Sequence, residues 1–184
     1  MRIMDLRPDD AALIERVAAL LVAEFAANWP EAWPDQRAAE AEVRESFTEG
    51  RLSRVALDAD GRALGWIGGI SQYDGHVWEL HPLVVHGEHQ GQGIGRALVA
   101  DLEARVRERG GLTITLGTDD EHEQTSLSGV DLFQNPWEHI AAISNRRRHP
   151  YEFYQKLGYV IVGVVPDANG LGKPDILMAK SLVR

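Results

Sequence analysis

The chain has no cysteine among its 184 residues. That excludes a disulfide scaffold, a thiolate zinc site and a cysteine nucleophile, and it fits a reducing compartment such as the cytoplasm. No apolar run approaches the ~18 residues that cross a bilayer, and the N-terminus shows no secretory-signal pattern, so no membrane partner is expected. Positive charge is short as well: 19 Lys and Arg stand against 28 Asp and Glu, a formal net charge of −9. A nucleic-acid binder would carry a basic footprint, so none is expected; the acidity either favours cationic partners or simply keeps the chain soluble. Internal repeats, low-complexity tracts and a Pro/Gly/Ser linker are also absent, which points to a single domain over residues 1–184.

What is present reads as alternating strands and helices. Residues 1–6 suit a short strand. Leu13, Ile14, Val17, Leu20, Leu21 and Phe25 form one apolar stripe at helical period over 11–27, which Asn28-Trp29-Pro30 stops. A second helix is expected from Pro34, in its first turn, to about Thr48. Strands over 54–57 and 63–70 flank a turn at Asp58-Ala59-Asp60-Gly61. Further strands are expected at 76–85, 112–116, 159–165 and 176–181. Helices fall at 93–109, ended by Gly110-Gly111, and as shorter pieces near 137–143 and 151–157. The order implies a mixed sheet with helices packed on it.

Gln90-Gly91-Gln92-Gly93-Ile94-Gly95-Arg96 follows a strand and opens a helix. Its glycines permit a tight turn whose N–H groups, with the helix N-terminus and Arg96, can hold a phosphate. It lacks the ending of a P-loop and sits in the wrong place for a dinucleotide fingerprint. An unliganded strand-to-helix connection fits the same residues.

Within Trp78-Glu79-Leu80-His81-Pro82-Leu83-Val84-Val85, Glu79 and His81 are two apart and project to one face. Pro82 belongs at a bulge or an edge. A bulge there would part this strand from 112–116, leaving groups of Leu83 and Val85 for an extended ligand to satisfy. The bland alternative is a solvated pair on an exposed face. A metal site from His81, His86 and His89 is disfavoured, because their offsets match no common zinc pattern.

The Gln-x-x-Gly-x-Gly loop after Leu-Val-Val resembles the acetyl-CoA loop of the GCN5-related N-acetyltransferases (GNAT). His149-Pro150-Tyr151-Glu152-Phe153-Tyr154-Gln155-Lys156-Leu157-Gly158-Tyr159 continues the likeness. Together with Trp29-Pro30-Glu31, Gln72-Tyr73, Leu116-Gly117-Thr118-Asp119-Asp120 and Lys173-Pro174-Asp175-Ile176, these strings resemble the aminoglycoside 6'-N-acetyltransferase branch, closest to the dimeric enterococcal chromosomal type. One departure is a loop with glutamines and extra glycines where that type is richer in basic residues.

The resemblance implies an α/β (α+β) GNAT fold: a mixed, mostly antiparallel seven-stranded sheet flanked by helices, with splayed central strands. It implies acetyl-CoA as co-substrate, no metal, a polycationic amine such as an aminoglycoside as acceptor, and a homodimer. Leu83, Val84 and Val85 would line the pantetheine arm, and Gln90, Gly91, Gln92, Gly93, Gly95 and Arg96 the pyrophosphate. Glu79 would take the amine proton directly or through water, with His81 nearby. Leu83 N–H would hold the oxyanion and Tyr154 would lie beside the CoA sulfur, although plain packing also explains that tyrosine. Trp29, Tyr73, Glu79 and Asp119 would form the acceptor site, with Asp120 on a negative rim. Alternatives in the same fold are acetylation of polyamines or of peptide and protein amines; a non-catalytic acyl-CoA-binding module is a third.

Overall fold

Asp10 starts the first helix, its carboxylate accepting from Leu13 N–H at 3.0 Å. The computed structural model describes residues 1–27 and 29–184, so Asn28 of the predicted helix stop lies outside the described residues. They fall into two compact units, Met1–Leu112 and Thr113–Arg184.

The first unit carries β1 (Arg2–Asp5), α1 (Ala11–Phe25), α2 (Gln36–Glu45), β2 (Arg51–Leu57), β3 (Ala63–Gln72), β4 (Val77–Val85) and α3 (Ile94–Glu108). Its strands pair antiparallel in the order β1-β2-β3-β4. Leu13, Ile14, Val17 and Leu21 bury the apolar stripe of α1 in one cluster with Trp66 and Val84. Each such side chain contributes about 1.5–3 kcal/mol of burial.

The other face of β3 meets α3. A Cβ on Gly65 would reach Leu98 Cδ1 at 3.0 Å, and one on Gly69 would reach Leu102 Cδ1 at 2.8 Å. Since side chains alternate along a strand, α1 and α3 lie on opposite faces of this sheet.

Helix α2 does not take Pro34 into its first turn, as the sequence suggested. Asp35 is the cap, its carboxylate accepting from Ala38 N–H at 2.8 Å. A carboxylate satisfies an orphan amide there, which proline cannot do.

The second unit carries β5 (Thr113–Asp119), α4 (Pro136–Ala141), α5 (Tyr151–Gln155), β6 (Val160–Val165) and β7 (Asp175–Ser181), with antiparallel strands in the order β5-β7-β6. Ile114, Leu127, Tyr159, Ile176 and Met178 are buried at its centre. Strand β5 outruns the expected 112–116 because its register with β7 continues to Asp119, opposite Asp175. Among the described residues no helix is long and apolar enough to cross a membrane.

Candidate active site

The pairing of β3 with β4 is irregular at Pro82. Ile67 lies opposite Leu83 and Gly69 opposite Leu80, so His81 and Pro82 together face Gly68 alone. This is a bulge in the pairing of β4 with β3. The reason is Gly68, whose missing side chain admits the His81 carbonyl: a Cβ there would sit 2.2 Å from that oxygen.

The extra residue reverses the alternation of β4. Trp66 and its partner Val84 face α1, while Gly69 and its partner Leu80 face α3. Before the bulge, therefore, it is Glu79 and His81 that share the α1 face, as expected from their spacing. After it, Leu83 and Val85 turn to the other face.

On the α1 face the half-buried Glu79 accepts from Gln72 Nε2 at 2.7 Å. His81 is exposed and lies 6.4 Å, ring to ring, from Trp33. Trp33 packs edge-on against Phe25 at 4.6 Å, and Phe25 tilts against Trp29 at 5.7 Å. An aromatic row thus runs from the end of α1 to His81. Tyr73, in the turn between β3 and β4, is 77% exposed and has φ +48, like its left-handed neighbour Asp74. Its carbonyl accepts from His76 N–H at 3.1 Å, which pins the turn and leaves the phenol outside.

Beyond β4, the glycine turn ends in Gly93, the left-handed N-cap of α3 at φ +86, and Gly91 has φ +74. A Cβ on either would touch nothing within 4 Å, so these glycines serve backbone conformation rather than packing. Both glutamine side chains brace the turn: Gln90 Nε2 donates to the Val85 carbonyl at 3.1 Å and Gln92 Nε2 to the Glu88 carbonyl at 3.2 Å. Glu24 of α1 accepts from Gly87 N–H at 2.8 Å. That leaves the amides at the start of α3 and the exposed Arg96 for an anion.

In the second unit Asp119 closes β5. Its carboxylate accepts from Asn169 Nδ2 at 2.5 Å, and its carbonyl lies 3.1 Å from His149 Nε2. Tyr154 is buried on α5 between Phe153 at 5.0 Å and Tyr159 at 5.8 Å, and burial pushes its phenol well above the usual range.

Asp120 is not on a rim. It is fully buried, and its carboxylate accepts from Gln124 N–H at 2.6 Å and from the Thr125 N–H and hydroxyl at 2.8 and 2.7 Å. A buried carboxylate with three donors organises its own loop rather than meeting a ligand.

Gly68, Gln72, Trp33, Asn169 and His149 were given no site role from the sequence. For Gln72 the signal was its place just before Tyr73 in a hairpin that returns through Glu79; for the others no local pattern was available. Among the described residues, no group of three or more His, Cys, Asp or Glu is gathered to hold a metal.

A strand with a proline bulge leads into a glycine turn that caps a helix, and the sequence profile of the acetyltransferase (GNAT) family matches residues 14–127. The chain belongs to that family, and its seven strands, mostly antiparallel with flanking helices, are those of the GNAT fold. Over its whole length it is similar to a solved aminoglycoside 6'-N-acetyltransferase complexed with coenzyme A: 42% identity, TM-score 0.91, 100% of this chain and 98% of that one. The aminoglycoside 6'-N-acetyltransferase from Enterococcus faecium is similar at 42% identity and TM-score 0.90, with the same coverage. An aminoglycoside 6'-acetyltransferase type Ii follows at 38% identity and TM-score 0.76, over 100% and 99% of the two chains. No curated protein matches the sequence.

Proposed function

We propose that this chain, acting as one catalytic domain over residues 1–184, transfers acetyl from acetyl-CoA to the 6'-amine of an aminoglycoside. The observation that carries this reading is the end-to-end likeness, at 42% identity, to aminoglycoside 6'-N-acetyltransferases, one of them complexed with coenzyme A. The acceptor ammonium groups meet Glu79 and Asp119, and Trp29 and Tyr73 offer faces to the sugar rings. The turn amides of Gly91, Gln92, Gly93 and Gly95, with Arg96, hold the CoA pyrophosphate, Gln90 braces the turn with its own N–H on the Gly87 carbonyl, and Leu83, Val84 and Val85 line the pantetheine arm.

The reacting amine first loses a proton to Glu79, directly or through water, with His81 beside it. The nitrogen lone pair attacks the thioester carbon, and the oxyanion that forms is stabilised by Leu83 N–H. Collapse breaks the carbon–sulfur bond; Tyr154 protonates the leaving thiolate, and the second proton on the nitrogen passes through solvent back to the phenolate, giving neutral amide, thiol and tyrosine. Burial keeps the Tyr154 phenol protonated but also makes it a weaker acid, so it gives up its proton only as charge develops on the departing sulfur. Holding amine and thioester together provides much of the rate.

The reading extends to a cytoplasmic homodimer. Ile176 and Met178 are core residues, but Val160, Val162 and Val165 of β6 are 61%, 46% and 43% exposed, an apolar edge suited to a second copy. Light scattering on the eluting protein tests the dimer.

The activity is tested by CoA release with kanamycin, spermidine and a lysine peptide, followed by NMR mapping of the acetylated nitrogen. Turnover on kanamycin with the label on the 6'-nitrogen is expected. Faster turnover on spermidine or the peptide overturns the assignment.

A further inference from the structure

His149 is 2% exposed, and each of its polar groups meets a partner. Its N–H donates to Asn145 Oδ1 at 2.8 Å, and its carbonyl accepts from Asn145 Nδ2 at 2.9 Å. On the ring, Nδ1 lies 3.2 Å from Tyr151 N and Nε2 lies 3.1 Å from the Asp119 carbonyl oxygen.

These partners set the tautomer. A backbone N–H can only donate, so Nδ1 is the unprotonated nitrogen; a carbonyl can only accept, so Nε2 carries the hydrogen. A second proton would place two donors face to face at Nδ1. The groups around the ring are Asp119 on β5, Asp120 just beyond it and Tyr151 on α5, whose ring is 5.7 Å away. Burial holds the imidazole below its ordinary pKa, against the opposing pull of the Asp119 carbonyl and of the Asp120 and Asp119 charges. The result is a neutral, rigid strut from the first turn of α5 to the last residue of β5.

Asp119 is gripped twice, by Asn169 on its carboxylate and by His149 on its carbonyl. We propose that His149 is a positioning residue for acceptor binding, setting the place of the Asp119 carboxylate through the backbone of β5. This rests on the reading of Asp119 as part of the aminoglycoside site. Because the strut acts on the main chain, its loss displaces the carboxylate without removing it, and the effect falls on acceptor KM before it falls on kcat.

Two substitutions divide the strut. In His149→Asn the side-chain oxygen can still accept from Tyr151 N–H but the amide is too short to reach Asp119. In His149→Gln the amide nitrogen can reach the Asp119 carbonyl but the acceptor for Tyr151 is lost. We expect His149→Asn to raise the kanamycin KM about tenfold, with kcat and the acetyl-CoA KM within roughly twofold of the parent. His149→Gln should restore the kanamycin KM to within about threefold although its Tm also falls. Asp119→Ala should raise the kanamycin KM, and His149→Asn should add nothing further on that background.

Losses in both His149 variants that follow Tm, with no split between KM and kcat, overturn the proposal, as do additive effects in the double variant. If Asp119→Ala raises the kanamycin KM and His149→Asn does not, the strut alone fails. If Asp119→Ala leaves that KM unchanged, the reading of the acceptor site fails and the proposal with it.

Discussion

Gly68 of β3 lies against the main chain of His81 on β4, so close that a Cβ would stand 2.2 Å from the His81 oxygen and 3.1 Å from its carbonyl carbon. Both clashing atoms are backbone, which cannot swing aside. Gly68→Ala should therefore cost about 2–4 kcal/mol in urea denaturation and move the bulge that presents Glu79 and His81. Acetyl transfer should fall by more than the lost folded fraction explains. A variant of parent stability and rate would show that the bulge is not held from β3.

Glu79→Ala should lower kcat with kanamycin by about 100-fold, within the range for a lost general base, and leave the acetyl-CoA KM nearly unchanged. Gln72→Ala removes the 2.7 Å hydrogen bond that orients this carboxylate and should cost about 3–10-fold in kcat. An unchanged steady-state rate for Glu79→Ala would remove the residue from the mechanism.

Burial raises the Tyr154 phenol, so the hydroxyl keeps its proton across the working range. Tyr154→Phe should then lower kcat by about 10–100-fold to the same extent at every pH, without reshaping the pH–rate profile. Because the ring packing against Phe153 and Tyr159 is retained, Tm should change little. Undiminished turnover would reduce Tyr154 to a packing residue.

The His149 imidazole has a lower pKa folded than its ordinary 6.5, chiefly through burial. Between those two values the unfolded chain binds more protons, so stability is intact above about 6.5 and is lost as pH falls through the folded value. Urea midpoints at pH 7 and pH 5 should differ more in the parent than in His149→Gln. Equal acid sensitivity in the two would show that the imidazole titrates alike folded and unfolded.

Arg54 of β2 is 7% exposed. Its Nε donates to Asp101 Oδ2 on α3 at 2.6 Å and its Nη2 to Asp101 Oδ1 at 3.1 Å, and Nη1 pairs with Asp5 on β1. Burial opposes its charge, but the hydrogen bonds to Asp101 and Asp5 win and raise its pKa. Asp101→Ala strands a buried guanidinium and should cost about 3 kcal/mol. Asp5, with its side chain 74% exposed, should cost under about 1 kcal/mol when changed to Ala. Chemical denaturation of the two variants checks the order, and equal costs would show that Asp5 on β1 holds the guanidinium as firmly as Asp101 on α3.

Features with a local cause were legible before any coordinates. The apolar stripe of α1 follows from helical period, the left-handed Gly91 and Gly93 from a turn that must enter a helix, and the common face of Glu79 and His81 from the pleat of a strand. The bulge itself was readable from Pro82, since a residue without an N–H disturbs any ladder it enters. The fit of the bulge against β3 was not, because that depends on Gly68, thirteen or more residues away, having no side chain. Asp120 and His149 make the same point from opposite directions. A carboxylate in an acidic loop reads as solvated, and a histidine before a proline reads as nothing in particular. Only the return of residues 124 and 125 onto Asp120, and of His149 onto the end of β5, gives each its partners. Sequence sets what a residue can donate, accept or bury; the folded chain decides which of those capacities is met, because the partners come from segments that only packing brings within hydrogen-bonding distance.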